Sequence, residues 1–307
     1  YLTAANYYGE GKRERKLSPF VIEALGEDKV TGYRVQGTGN EQLTFFSYAT
    51  PQNSEPLAIS HTPYAINYIS YSQIQEFKVC PLHYKLKYIL RIPMPPSAAQ
   101  SFGITIHQTM ADFYDLSKSE MTQENLLKIY GLNWISEGYD SKAHQNLMKT
   151  KGVSYLKAYF KNEFSLDRLP ILRESPFSFR LGDLKIGGKI DKVDKTESGI
   201  EIIDYKTGVN IPSAAEVAKD LQLTVYALAA TEVQETPFNR KPEEVSLSLY
   251  FFDGEQKLTT KRSREELEAA KSEILKTVEE ISTSDFECSR SILCQNCEYK
   301  MFCNSVE

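Results

Sequence analysis

Gly188-Lys189-Ile190-Asp191, followed twelve residues on by Ile203-Asp204-Tyr205-Lys206-Thr207-Gly208, is the stretch that decides how this chain folds. Residues two apart on a strand share a face, so Asp204 and Lys206 point one way while Ile203 and Tyr205 point the other. Between the two segments lies Thr196-Glu197-Ser198-Gly199, a polar turn with a glycine available. A hairpin folded about the Glu197–Ser198 bond sets Asp191 opposite Asp204, with Cβ atoms ~5 Å apart. Two carboxylates and an ammonium then converge. Like charges at that distance are destabilising unless something offsets them, and a hard divalent cation with oxygen ligands does so. The plain alternative is a surface hairpin in which Lys206 only neutralises Asp204, and for a lone Asp-x-Lys it is the commoner case. A one-residue bulge at Gly199 would turn Asp191 to the wrong face.

Working outward, the strand pattern begins near Ile171, with Phe177, Phe179 and Leu181 alternating, then Leu184 and Ile186, then Ile200, Ile202 and Ile203. Three strands are predicted there. Before them, Ser72 with Gln75 starts a helix to about Leu90, stopped by Pro93, Pro95 and Pro96. A second helix opens near Ser101 with Phe102, Ile106, Met110 and Phe113 on one face, and two more cover roughly 122–138 and 141–163. After the strands, Ser213 with Glu216 caps a helix to about Val233. Val245 to Phe252 is a strand, and Ser263 with Glu266 caps a helix to about Ile281. This order predicts an α/β fold, a mixed central sheet flanked by helices.

A net charge of -5 argues against coating nucleic acid by bulk positive potential, so any such contact must be local. One stretch fits. From Phe77 to Ala111 there is no Asp or Glu, while Lys78, Lys85, Lys87 and Arg91 alternate with Tyr84 and Tyr88. The wet face of an amphipathic helix explains it equally well. No apolar run approaches the ~20 residues that cross a bilayer, which predicts a cytoplasmic protein without membrane partners. The odd count of five cysteines argues against a disulfide framework and moves metal ligation up. No Gly-x4-Gly-Lys-Ser/Thr loop is present, so this chain offers no P-loop for ATP.

Gly188-x-x-Asp191, Asp204-Tyr205-Lys206-Thr207-Gly208 and Gln222-Leu223-x-x-Tyr226, preceded by Phe102-Gly103-x-x-x-His107, resemble the RecB-type branch of PD-(D/E)XK nucleases. The likeness covers about residues 70 to 304. It implies a restriction-endonuclease-like core. It also implies metal ligands at His107, Asp191, Asp204 and the Tyr205 carbonyl, with Lys206 catalytic. Glu174 resembles an auxiliary acid of the family, and Gln222 and Tyr226 its substrate-side supports. Ile190 stands where the family motif has proline.

Cys294-x-x-Cys297-x5-Cys303 is a strong spacing for one soft metal centre and needs a fourth ligand. Cys288 would complete a compact zinc site. Cys80, in Cys80-Pro81-x-x-Tyr84, lies more than two hundred residues away. The resemblance to AddB- and AdnB-like nucleases, which pair such a helix with such a C-terminal run, implies Cys80, Cys294, Cys297 and Cys303 around a [4Fe–4S] cluster.

The first 25 residues, with Tyr8-Gly9-Glu10 and Arg15-Lys16-x-Ser18-Pro19-Phe20, resemble the exit of the second motor domain in UvrD/PcrA-like helicases. With no initiator methionine at Tyr1, a fragment is expected: residues 1–68 a motor remnant plus linker, 69–307 the nuclease domain. The function implied is a Mg²⁺- or Mn²⁺-dependent deoxyribonuclease, with exonuclease action favoured, fused to an upstream helicase motor in the same polypeptide. Its partners would be DNA, single-stranded by preference, and a companion helicase–nuclease chain, at the bacterial nucleoid, in end processing and recombinational repair. The rival is a catalytically silent DNA-binding or scaffolding module, which metal-dependent degradation of labelled strand would exclude.

Overall fold

A computed structural model describes residues 65–303. The motor-like remnant and nearly all of its linker therefore lie outside the described residues. In chain order the elements are β1 (Tyr68–Ile69), α1 (Tyr71–Val79), α2 (Pro81–Tyr84), α3 (Ala98–Tyr114), α4 (Gln123–Leu132), α5 (Lys142–Asn162), β2 (Leu172–Leu181), β3 (Leu184–Lys195), β4 (Ile200–Lys206), α6 (Ala214–Val217), α7 (Leu221–Glu232), β5 (Val245–Phe251), β6 (Gln256–Thr260) and α8 (Arg264–Ser282). The mixed α/β architecture is the one expected. β6 was not foreseen, because Gln256–Thr260 is short and carries one apolar residue, Leu258.

The expected long first helix is two. Proline disfavours helical backbone at the residue before it, and Cys80 is accordingly extended at φ −158° and ψ 112°. The chain then continues through α2 and one wide turn, in which the Leu90 amide donates to the Lys85 carbonyl. The start also differs: Ser70 with Gln73 forms the capping box, two residues before the expected Ser72 and Gln75. The helix expected to run from Ser213 to about Val233 is likewise two, because Asp220 caps a second one through the Leu223 amide. The helix expected to reach residue 138 ends at Leu132.

The six-stranded sheet runs β1-β3-β4-β5-β6, with β2 on β3. Its two faces are buried differently. Ile186, Ile190, Ile202 and Leu247 pack with Leu228 of α7 and Ile274 of α8. Ile203, Tyr205 and Tyr250 pack with Phe102, Ile106 and Phe113 of α3. Each such side chain fully removed from water contributes roughly 1.5–3 kcal/mol, so both helical layers are needed to hold the sheet.

β3 is the branching strand. β2 lies antiparallel along it from Leu184 to Val193, while β1 pairs with Lys185 and Ile186 and β4 with Lys192 to Lys195. Between those two contacts, from Gly187 to Asp191, β3 has no strand partner on that side among the described residues. β4 meanwhile stays paired in parallel with β5 as far as Lys206. The sheet therefore forks where the two motif segments part.

The β3–β4 hairpin keeps its register without a bulge: Lys195 faces Ile200 and Lys192 faces Ile203. Its turn is closed by the Thr196 amide donating to the Gly199 carbonyl at 3.0 Å. Gly199 is required by space, since a Cβ there would lie 2.0 Å from the Glu244 carbonyl oxygen. Gly199→Ala is expected to destabilise the chain by about 1–3 kcal/mol in urea unfolding, the usual cost of overpacking against backbone.

Candidate functional site

At the fork the hairpin register puts Asp191 and Asp204 next in line, one step beyond the last ladder pair of Lys192 with Ile203. The strands have already separated there, and backbone groups that would have bonded across the gap need other partners. Asp191 supplies one, its Oδ2 accepting the Tyr205 amide at 2.8 Å. Tyr226 supplies another, its hydroxyl lying 3.1 Å from the Lys189 carbonyl it bonds and 2.9 Å from Asp204 Oδ1. The two acids thus lie next to each other where the strands part, and after burial Asp191 is among the charges that push Asp204 up.

Glu174 enters from β2. Arg173 faces Lys192 and Ser175 faces Ile190, which leaves Glu174 in the register position opposite Asp191. Its φ of 43° lies in the left-handed region, a local cost of roughly 1–2 kcal/mol for a residue with a Cβ. Three acids therefore stand abreast on β2, β3 and β4. His107 reaches them from α3, its Nδ1 3.3 Å from Asp191 Oδ1 and 3.6 Å from Glu174 Oε1, while its Nε2 sits 3.0 Å from the Tyr205 carbonyl oxygen. His107, Glu174 and Asp191 each offer a ligand atom within 4.8 Å of the others, a group that can hold a metal ion.

Asp204 is turned slightly aside. Its Oδ1 accepts from the Gln222 amide at 2.8 Å as well as from Tyr226, and Lys206 Nζ stands 2.8 Å from its Oδ2. Beyond that ammonium the buried Oδ2 has no further hydrogen-bond partner among the described residues. An anionic oxygen left so, beside a His–Glu–Asp group, fits the demand of a divalent cation for oxygen ligands. Lys206 also donates to Gln222 Oε1 at 2.6 Å, so Gln222 bridges the acid and the lysine.

Charge follows this packing. Burial and the neighbouring Asp191 push the Asp204 carboxyl up, with Lys206 opposing. Burial would lower the Lys206 ammonium, but Asp204 outweighs it and the net shift is upward. Burial would raise Glu174, yet hydrogen bonds from His107 and Lys189 bring it down. Burial disfavours a charged His107, and the bonds to Asp191 and Glu174 overcome it and raise the imidazole to about 10. As an imidazolium it donates from both nitrogens, to the acids and to the Tyr205 carbonyl.

The residues singled out by sequence divide accordingly. His107, Asp191, Asp204, Tyr205, Lys206, Gln222 and Tyr226 meet at the fork, with Glu174 opposite Asp191. Two contributors went unread. Lys189 forms an ion pair with Glu174. Arg262, only 4% exposed, donates to the Val217 and Asp220 carbonyls at 3.1 Å each and to Thr224 Oγ1 at 2.8 Å. It thereby fixes the start of α7, which carries Gln222. Nothing in its sequence surroundings marks it.

The basic stretch of α1 and α2 is not a free surface. Lys78 pairs with Glu273, Lys87 with Glu76, and Lys85 lies over the Phe286 ring. A second feature is a cavity of about 50 Å³ lined by all five cysteines together with Val79, Leu82 and Leu86. Cys288 and Cys294 have their sulfurs 3.8 Å apart. Burial, then the proximity of Cys80, Cys294 and Cys303, pushes the Cys297 thiol up. His83, which sequence left unremarked, ties the segment down through Glu298 at 3.0 Å, and the Tyr299 hydroxyl donates to the Ile92 carbonyl. Among the described residues no helix is long and apolar enough to cross a membrane.

The family model described as the PD-(D/E)XK nuclease superfamily matches residues 68–304. One component of the ATP-dependent helicase/deoxyribonuclease of Carboxydothermus hydrogenoformans is 26% identical over 205 residues, 54% of this chain. The matched part is 19% of that relative, so the chain spans about a fifth of its length. A crystal structure from Eubacterium rectale, described as that of a candidate exonuclease, superposes with a TM-score of 0.50 at 14% identity, covering 81% of this chain and 94% of that one. It shares the fold.

Without metal, His107 has a folded pKa above its ordinary 6.5, so its contribution is full below that value and lost as pH rises toward about 10. EDTA-treated protein is therefore expected to lose up to a few kcal/mol of stability between those limits. Chemical denaturation of His107→Gln should lack that part of the slope.

Proposed function

The chain belongs to the PD-(D/E)XK nuclease superfamily, and on that premise we propose that it hydrolyses DNA phosphodiester bonds with Mg²⁺ or Mn²⁺. The observation that carries this is the alignment of Glu174, Asp191 and Asp204 on three neighbouring strands, with His107 and Lys206 beside them. His107, Asp191, Asp204 and the Tyr205 carbonyl hold the ion, with Glu174 adjoining. Such a cation, when bound, offsets the carboxylates and stabilises the charge that builds on the phosphoryl group under attack. Lys206 is the group that holds rather than accepts a proton, because its ammonium is favoured by Asp204. It is a third exposed and so within reach of a phosphate oxygen or an attacking water. Gln222 and Tyr226 keep Asp204 and Lys206 in register.

Cys80, Cys294, Cys297 and Cys303 hold a [4Fe–4S] cluster on this proposal. The support is the resemblance of their spacing together with their position in one cavity with apolar walls, which Cys288 shares. Among the described residues the thiols do not form a group of three within 4.8 Å. Cys288 and Cys294, with sulfurs 3.8 Å apart, keep a single zinc ion as the second reading. The cluster is structural, fastening the end of α1 to the segment after α8. In the whole protein the domain acts beside a helicase motor, as the name of the Carboxydothermus hydrogenoformans relative suggests. Duplex opened by the motor would feed it strand during end processing.

Two outcomes test this. Asp191→Asn, which keeps an oxygen for the Tyr205 amide, and Lys206→Ala should each lower metal-dependent cleavage of an end-labelled oligonucleotide by at least about 100-fold with the chain still folded; undiminished cutting refutes the roles. Protein purified without oxygen should contain about four irons per chain by elemental analysis, following the proposed cluster. Cys297→Ser should lose iron and melt at lower temperature, whereas one zinc and no iron would favour the set containing Cys288.

A further inference from the structure

A cavity of about 130 Å³ opens directly beside the acids, in the fork itself. Tyr71 and Phe177 stand among its walls, Gly188 and Lys189 line it from β3, and Gln222 and Tyr226 border it from α7. Its walls are mostly apolar. Phe177 lies across the strand at Gly188, its partner in register, and a Cβ at Gly188 would fall 2.9 Å from the ring. A larger residue there would drive the ring outward into the space. Tyr71 is half-buried at the first turn of α1, and its phenol feels Asp220, Lys206 and Asp204. No element of the proposed hydrolysis uses either aromatic ring.

We propose that this cavity receives an unstacked nucleobase next to a phosphate held by Lys206, so that the chain takes strand that is single at that point. This rests on the nuclease proposal and names its substrate. The cavity has room for one planar ring system, with the half-buried Tyr71 ring and Lys189 on its walls, and a border made of the same Gln222 and Tyr226 that hold Asp204. Aromatic side chains bind bases through their π faces whatever the sequence, which suits processing of arbitrary DNA. A paired base is already stacked and bonded and would have to be flipped out first.

The test is binding in EDTA, where no cleavage occurs, by the full 307-residue chain with its cysteine segment intact. The probes are fluorescein-labelled single-stranded and duplex oligonucleotides, and single strands with one abasic position moved stepwise along them. Wild type should bind single strand roughly tenfold more tightly than duplex, and one abasic position should cost about the same factor. Tyr71→Ala should bind about tenfold more weakly and no longer sense that abasic site, while Tyr71→Phe behaves as wild type. Equal affinity for duplex and single strand, or no abasic position that matters, overturns the proposal, and the wild-type arm decides this even if Tyr71→Ala does not fold. A chain that binds in this pattern but never cuts in Mg²⁺ sinks the nuclease reading and leaves the pocket standing; one that cuts but is indifferent to abasic sites sinks the pocket alone.

Discussion

One hydrogen bond, from the Tyr205 amide to the Asp191 carboxylate, underlies the rest of the candidate site. It forms where β3 and β4 separate, and it does two things at once. It satisfies a buried backbone donor that the sheet has abandoned, which left unpaired would cost about 1–3 kcal/mol. It also pins Asp191 beside Asp204, although burial and mutual repulsion both oppose a charged pair there. Asp191 thus gives one oxygen to the fold and turns the other toward His107. Around this bond the remaining contacts look like answers to the same strain: Gln222 bridges Asp204 and Lys206, Tyr226 covers the Lys189 carbonyl, and Arg262 steadies the helix from which both side chains project.

What sequence could and could not reveal follows from the range of the interactions. Counting from the Glu197–Ser198 bond located Asp191 against Asp204 because an unbulged hairpin is wholly local, and alternation gave Lys206 its side. The fork was not legible, since it depends on β1 and β4 dividing one edge of β3 while β5 holds the outer edge of β4, contacts far apart in the chain. Glu174 came only from resemblance: a strand pattern has no way to announce a left-handed residue inside it. His107 shares a helix with Phe102 and Ile106, and its position gives no sign of the strands it meets. Some misses were avoidable. Cys80 before Pro81 argues against a continuous helix on local grounds, and Asp220 with the residues after it is an ordinary cap.

The two candidate centres are joined by a short lever. α1 begins at Tyr71, on the cavity beside the acids, and ends at Cys80, in the cavity of thiols. Nine residues of helix span only ~14 Å. Phe77 and Tyr84 pack with Phe286 at the near end of the cysteine segment, and His83 and Lys87 meet Glu298. The helix that lines the first cavity is thus packed at its far end against the cysteine segment.

The thiol cavity also sets an order of events at the ribosome. Cys80 closes the first helix of the described region and Cys303 is its final residue, some two hundred residues later. At ordinary ribosomal rates that interval is on the order of 10 to 40 s. Throughout it the nascent chain carries Cys80 without the C-terminal thiols, while the strands and helices between are being made. Any contact between Cys80 and the later thiols therefore forms only after the strands and helices that carry the acids have been made.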